Sequence, residues 1–142
     1  MKLTGRFSTT VTPTALLALQ RDFGALSRVP GFTDVRIDAS GNVRAQFTPR
    51  DLFVPMPFAL TVEVERLEAS EAVLTVQAGR GSTLVDVGLR MEFAAEGAAT
   101  TVSWAAEVAV RGPGASAGQR VVRDLVWVAI DEVLRGAAAV AA

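Results

Sequence analysis

The side chains that most often carry acid–base and nucleophilic chemistry are missing from this chain. Its 142 residues include no His, no Cys and no Tyr. Imidazole is the commonest general base and the commonest metal ligand in proteins, and thiolates form other frequent metal sites and all disulfides. A Ser-His-Asp or Cys-His arrangement is therefore excluded, and any catalysis would depend on carboxylates, Arg, Ser, Thr or a cofactor.

A few residues remain as chemical candidates. Glu132 is the acidic residue nearest the apolar side of the C-terminal segment, where a buried carboxyl could hydrogen-bond the polar end of a ligand. Asp86 and Arg90 share one face of a strand pattern and are expected to be solvated. Residues 78–83, AGRGST, lack the glycine spacing of dinucleotide and P-loop motifs, so they are interpreted as a turn. No carboxylate spacing is typical of a metal site, and we expect neither a metal nor a cofactor.

The composition limits the partners and the location of the protein. The net charge is −1, from 14 basic and 15 acidic residues, which argues against nucleic acid because phosphate binding needs a basic surface. Half of the residues are apolar, enough for the core of a single domain over residues 1–142. The sequence shows no signal peptide and no apolar run of about 20 residues that could span a membrane. We expect a cytoplasmic protein.

The N-terminal part predicts a strand followed by helical segments. Residues 2–9 alternate apolar and polar side chains, which is typical of a half-buried strand. Thr12 is a suitable N-cap with Pro13 at the first helical position, for a helix of about three turns whose apolar side includes Phe23. A short helical piece is expected next, and it must end before Pro30-Gly31.

From residue 32 onward the sequence predicts consecutive strands. Because the connections are short, neighbouring strands should pair antiparallel, with Gly41-Asn42 in the turn of the first hairpin. Each strand has one apolar face, so the sheet should be covered by the helices on one side. Residues 50–57 carry two prolines and are interpreted as a loop or an irregular edge. The strand patterns occupy residues 32–38, 43–49, 58–68, 71–80, 83–95 and 100–110.

Residues 114–142 predict one long amphipathic helix that closes the chain. When successive residues are placed about 100° apart, most apolar side chains form a broad arc and the charged ones lie opposite. Two residues break this pattern. Trp127 falls among the charged residues, where it is interpreted either as packed against a neighbouring segment or as a contact site. Glu132 falls near the edge of the apolar arc.

This order of elements resembles the START-like (SRPBCC, helix-grip) superfamily. Within it, the segments SRVPGFTDVRIDASGNVRAQF (residues 27–47) and GQRVVRDLVWVAIDEVLRGAAAVAA (residues 118–142) are most similar to the CoxG-like family of carbon monoxide dehydrogenase subunits. The resemblance spans essentially the whole chain. It implies an α+β helix-grip fold, in which a curved antiparallel sheet of six to seven strands wraps a long C-terminal helix.

The resemblance also implies a function. Proteins of this superfamily hold apolar molecules between the sheet and the last helix, so we expect a non-catalytic carrier for a lipid or a quinone-like molecule. The CoxG-like family further implies an accessory role beside a molybdenum hydroxylase of the CO dehydrogenase type. The residues expected to line the cavity are Phe47, Met56, Phe58, Val87, Met91, Trp104, Leu125, Ala129 and Glu132.

Two other hypotheses stay open from the sequence. One is a cyclase-like or hydrolase-like enzyme on the same fold, for which Glu132 would be the acid or base. The other is an interaction module with a filled core, acting as a homodimer or as the partner of an oxidoreductase. Phe53, Met56 and Phe58 lie in or beside the proline-containing loop. They are interpreted as a satellite apolar cluster, as a cavity mouth, or as a transient contact with a membrane or a protein.

Overall fold

The computed structural model describes residues 1–49, 57–68, 70–112 and 119–141. Within these ranges, seven strands and two α-helices, with one 3-10 helix after the first of them, follow the predicted order. The elements are β1 (Lys2–Thr9), α1 (Pro13–Leu19), the 3-10 helix (Phe23–Arg28), β2 (Phe32–Ile37), β3 (Val43–Phe47), β4 (Phe58–Glu68), β5 (Glu71–Arg80), β6 (Thr83–Glu96), β7 (Ala99–Arg111) and α2 (Gln119–Ala141).

All seven strands form one antiparallel sheet in the order β1-β7-β6-β5-β4-β3-β2. Every neighbouring pair except β1 and β7 is consecutive in the chain, as expected for strands joined by short turns. The first and second strands therefore form the two edges, and the α1 segment that connects them crosses from one edge to the other. The turn predicted over residues 78–83 is shorter in the structure, because β5 extends to Arg80 and β6 begins at Thr83. Gly81, at φ 58°, and Ser82 connect the two strands.

The first helix begins as predicted and ends earlier. The Thr12 hydroxyl accepts a hydrogen bond from the Ala15 amide at 3.2 Å, and Pro13 occupies the first turn. The amides of Gln20, Arg21 and Asp22 then donate to carbonyls three residues back, at 3.1 Å each. This tightening ends α1 at its seventh residue, so the predicted three-turn helix is replaced by a short α-helix and a separate 3-10 helix.

The alternation within the long strands places the core as the sequence predicts. In β6 the side chains of Val87, Leu89, Met91 and Phe93 are buried, whereas the residues between them are exposed. In β7 the same pattern buries Val102, Trp104, Ala106 and Val108. The apolar face is the one that α2 covers, and α2 packs against β1, α1 and the 3-10 helix.

The opposite face of the sheet is polar. Asp86 and Arg90, expected to be solvated, take part there in cross-strand ion pairs: Asp86 with Arg111 at 2.7 Å and Arg90 with Glu71 at 3.4 Å. A hydrogen bond from Arg66 to Glu71 at 2.6 Å lowers the pKa of the Glu71 carboxyl below its ordinary value. These pairs lie on the side of the sheet away from α2.

Candidate functional site

One flank of α2 is tightly packed against the sheet. Trp127, half-buried on α2, donates its indole N–H to the Thr4 carbonyl oxygen at 2.7 Å, and its ring centre lies 5.9 Å from that of Trp104. A Cβ atom placed on Gly5 would overlap the Trp104 indole, so the missing side chain lets β1 approach this ring. Of the two interpretations of Trp127, the structure therefore shows packing against a neighbouring segment.

The other flank of α2 packs against the end of the 3-10 helix and the two residues that follow it. A Cβ on Gly136 would lie 3.2 Å from a methyl group of Val29 and 3.7 Å from the Pro30 ring, so the glycine permits close approach here. Val29 belongs to a second apolar cluster with Phe32 and Phe47, whose rings lie 4.8 Å apart. The helix is thus anchored at β1 on one side and at the 3-10 helix on the other.

A cavity of about 330 Å³ lies between these two anchored flanks. It is bounded by α2, by the α1 end and the 3-10 helix, and by the inner faces of β2 to β6. The β4 side chains of Leu60, Val62 and Val64 point to this space and remain half-buried although they are on the inner face. Because these inward side chains are only half-buried, α2 does not pack closely against the middle of the sheet.

The wall of the cavity is almost wholly apolar. Among the described residues that line it, the polar side chains are those of Gln20, Asp22 and Glu132. The apolar wall consists of Leu19, Leu26, Val29, Phe32, Val43, Phe47, Pro49, Phe58, Leu60, Val62, Val64, Leu74, Val76, Ala78, Val85, Val87, Leu89, Met91, Leu125, Val126, Val128, Ala129, Ile130, Val133, Leu134 and Ala137.

Three exposed wall residues mark where the cavity reaches solvent. On α2, Leu125 is 50% exposed and Val128 is 41% exposed, although both are apolar and border the cavity. Asp22, between α1 and the 3-10 helix, is the third. The cavity therefore reaches solvent between the N-terminal half of α2 and the end of α1.

Most of the predicted cavity residues lie on this wall. The residues that the structure places there are Phe47, Phe58, Val87, Met91, Leu125, Ala129 and Glu132.

Of the other two predicted cavity residues, one is placed elsewhere and one lies outside the described residues. Trp104 is 2% exposed and is not on the described wall, because it is packed between Gly5 and Trp127 on the filled flank. Met56 and Phe53 lie outside the described residues, so the interpretation of the proline-containing loop stays a prediction. Phe58 is the first residue of β4, as the strand pattern over residues 58–68 predicts.

The polar wall residues Gln20 and Asp22 are the ones that sequence reasoning missed. They lie in the turn that ends α1 at Leu19. The sequence predicts a longer helix there, so it does not indicate this turn. Leu60, Val62 and Val64 were recognisable as an inner strand face, but alternation alone does not tell a packed inner face from one that borders empty space. Glu132 is half-buried, so the deeply buried acid that the enzyme hypothesis requires is not what the structure shows at this position.

Two kinds of feature are absent from the residues that the structure describes. Within residues 1–49, 57–68, 70–112 and 119–141, no three acidic side chains cluster in a way that could hold a metal ion. Over the same residues, no helix combines the length and the apolar character that crossing a bilayer requires.

The geometry of sheet, helix and cavity defines a START-like, helix-grip protein, and solved structures agree. A conserved protein from Geobacillus kaustophilus aligns with a TM-score of 0.83 and 14% identity, over 99% of this chain and 95% of that chain. A START superfamily protein from Mycobacterium smegmatis aligns with a TM-score of 0.71 and 11% identity, over 97% and 94%. The di-domain ARO/CYC protein BexL aligns with a TM-score of 0.63 and 16% identity, over 99% of this chain and 48% of that one. At these identities the similarity concerns the fold alone.

The family follows from the sequence itself. The family model for CoxG, a carbon monoxide dehydrogenase subunit, matches residues 5–142. The chain belongs to the CoxG family, as the resemblance of its central and C-terminal segments implied. No curated protein matches the chain in a sequence comparison.

Proposed function

We propose that this protein binds an apolar small molecule, such as a lipid or a quinone-like compound, in the cavity beneath α2. The observation that carries the proposal is the cavity of about 330 Å³ with a nearly continuous apolar wall. Small-molecule sites are typically cavities of about 300–1,000 Å³ that are lined by apolar side chains and contain a few polar groups. The START-like fold and the CoxG family support a ligand-binding accessory role.

The size of the hydrophobic effect sets the affinity to look for. Burying about 400 Å² of apolar ligand surface contributes about 10 kcal/mol at about 25 cal/mol per Å². Association costs at least about 4 kcal/mol in lost translational and rotational freedom. The remainder is at most about 6 kcal/mol, which corresponds to dissociation constants of tens of micromolar or weaker, so binding should be measured at protein concentrations of tens of micromolar and above.

The proposal is binding without turnover. The chain has no His, Cys or Tyr, and the carboxylates at the cavity are on residues that are exposed or half-buried. The wall is suited to enclosing an apolar molecule, with few groups that could move protons on it. We further propose that the bound molecule is exchanged with an oxidoreductase of the CO dehydrogenase type, a role that rests on the family name.

Filling the cavity tests the proposal directly. In Val62→Trp, an indole would project from the middle of β4 into the space below α2. The matched control is Glu63→Trp, which places the same ring on the exposed outer face of the same strand. The probe is the uncharged dye N-phenyl-1-naphthylamine, whose fluorescence rises in apolar sites.

We expect wild type and Glu63→Trp to bind the probe at concentrations of about tens of micromolar, and Val62→Trp to lose most of this binding while its urea unfolding midpoint is retained. Native mass spectrometry and organic extraction of protein purified from its own host would then identify the natural ligand by mass. An apo protein that also fails to bind the dye, fatty alcohols and quinones would overturn the proposal and favour the interaction-module hypothesis.

A further inference from the structure

We propose that Met91 closes the inner end of the cavity and so limits how much of an apolar ligand the protein can enclose. The enclosed part would contain about eleven carbons, and the rest of a larger molecule would extend through the opening. This inference rests on the proposed binding function and deepens it, because it gives the size of the ligand and the residue that determines it. The observations that carry it are the cavity volume and the burial of the wall residues on β5 and β6.

The inward side chains of β6 become more buried from the start of the strand towards Met91. Val85 is half-buried, Val87 is 8% exposed and Met91 is 2% exposed, and all three border the cavity. The antiparallel neighbour β5 shows the same gradient, since Val76 is half-buried and Leu74, closer to Met91, is buried. The closed end of the cavity therefore lies on the Met91 side of these two strands.

Beyond Met91 the inner face of the sheet is filled. Phe93, the next inward residue of β6, is buried and is not on the described wall. The direct strand partners of Met91 are Ala72 on β5 and Trp104 on β7, and both are also buried and absent from that wall. Met91 is thus the last residue of β6 that borders the cavity, with filled core around it on both sides and ahead.

Methionine is suited to a boundary between filled and empty space. Its unbranched side chain has three rotatable bonds and adapts to irregular gaps. Ala72 beside it has the smallest apolar side chain, which leaves room on β5 that a longer neighbour can occupy. Removing the Met91 side chain would extend the cavity towards Phe93 and Trp104, whose rings would remain in place.

The cavity volume indicates the length of chain that fits. A water molecule occupies about 30 Å³ in the liquid and a methylene group is of similar size, so a cavity of about 330 Å³ holds about eleven methylene groups. Each buried methylene should strengthen binding about fourfold. Methylenes beyond this number would remain at the opening, where Leu125 and Val128 are exposed, and should add much less.

A series of probes that differ only in chain length tests this limit. The n-alkyl phosphocholines with eight to fourteen carbons share one headgroup without net charge, and each can be titrated below its micelle concentration against bound N-phenyl-1-naphthylamine. For wild type we expect affinity to rise about fourfold per carbon up to about eleven carbons. Each further carbon should change affinity by less than about twofold, so the series should show a break.

Two variants of β6 test whether Met91 determines the position of this break. Met91→Ala and Phe93→Leu remove the same number of non-hydrogen atoms from successive inward positions, but only Met91 is on the described wall. Met91→Ala should move the break to chains about two to three carbons longer, because the cavity gains the volume of the removed atoms. Phe93→Leu should leave the break unchanged. Urea unfolding of each variant shows whether it is folded.

The methionine methyl signals in NMR spectra examine the same boundary in wild type, even if Met91→Ala folds poorly. The chain has three methionines, and the spectrum of Met91→Leu identifies the Met91 signal. The twelve-carbon probe should shift this signal, whereas the eight-carbon probe, whose chain does not reach the closed end, should shift it much less. Met1 is exposed and not on the described wall, so its signal is the internal control.

The outcomes keep the two proposals apart. Affinity that rises evenly through fourteen carbons would overturn the size limit while leaving the binding function in place. A break that does not move in folded Met91→Ala, or that moves equally in Phe93→Leu, would overturn the role of Met91. A Met91 methyl signal that the twelve-carbon probe leaves unshifted would do the same. Failure of the dye and of every phosphocholine to bind would instead count against the binding function itself.

Discussion

The same helix lies against a filled half and a hollow half of one sheet. In the filled half, on β1 and β7, Trp104 is 2% exposed and its ring meets Trp127 of α2. In the hollow half, on β4, Leu60 and Val62 occupy equivalent inward positions but stay half-buried, with the cavity above them. Both halves follow the same alternation of apolar and polar residues, so patterning alone does not decide which half is filled.

The difference lies in side-chain size and in two glycines. Two indole rings bridge the filled half, and Gly5 removes the side chain that would otherwise hold β1 away from them. On the other flank, Gly136 lets α2 approach Val29. Between these flanks, the inward residues of β4 and β5 are mainly Val, Leu and Ala, and they border the cavity. A hollow under a helix therefore results from anchors beside it as well as from small residues beneath it.

Removing the central ring of the filled half should have the largest effect. Trp104→Ala would lower the free energy of unfolding by about 3–5 kcal/mol, since a fully buried aromatic side chain is replaced by a cavity. Val62→Ala, on the hollow half, should cost about 1 kcal/mol or less, because its side chain already borders empty space and loses few contacts. Urea unfolding monitored by circular dichroism measures both changes. Equal losses for the two variants would contradict the division into halves.

Adding a single carbon to the filled half should have the next largest effect. Gly5→Ala would force the Trp104 ring or β1 to move and should lower the free energy of unfolding by about 1–3 kcal/mol. Gly88→Ala is the matched control, because a Cβ at this position in the middle of β6 meets no atom within 4 Å. Alanine should raise stability there by about 0.5–1 kcal/mol, since glycine is disfavoured within strands. A Gly5→Ala protein as stable as wild type would show that the indole contact is loose.

The sequence predicts the secondary structure and the order of the elements better than it predicts the cavity. Alternation identifies the inner faces of β6 and β7, Thr12 and Pro13 mark the start of α1, and the family resemblance supplies the arrangement. Met91 and Trp104, however, are directly paired neighbours on those two inner faces. No one-dimensional pattern distinguishes them, yet Met91 borders the cavity and Trp104 does not. Their difference depends on where α2 crosses the sheet, which long-range packing determines.

Two neighbouring residues on α2 should separate stability from binding. Trp127→Phe keeps an aromatic ring but loses the hydrogen bond to the Thr4 carbonyl, and should lower the free energy of unfolding by about 0.5–1.5 kcal/mol. Affinity for N-phenyl-1-naphthylamine should be unchanged, because Trp127 is not on the described cavity wall. Leu125→Ala should show the opposite pattern, with little change in stability and weaker binding of the dye. Leu125 is 50% exposed, so stability should change by about 0.5 kcal/mol or less, whereas dye affinity should fall.

The smallest effect should come from the ion pairs on the outer face of the hollow half. If these pairs compensated for the missing inner packing, Glu71→Gln would be strongly destabilising. We expect only a small loss at neutral pH, because exposed ion pairs contribute little. The hydrogen bond from Arg66 lowers the pKa of Glu71 below its ordinary value of 4.5, so the folded state binds the proton less readily than the unfolded state.

This shift gives the loss a defined dependence on pH. The contribution of Glu71 is fully present above its ordinary pKa and disappears as the pH falls through the lower folded-state value, so wild type and Glu71→Gln should converge in strong acid. Urea unfolding midpoints of the two proteins, compared at neutral pH and at successively lower pH, measure this. A large difference at neutral pH, or one that persists in acid, would mean that the outer face contributes more than ordinary ion pairing to the hollow half. A small difference that disappears in acid would mean that the ion pairs of Glu71 do not compensate for the missing inner packing. The backbone hydrogen bonds between β4, β5 and β6 would then be the main interactions that hold this part of the sheet together.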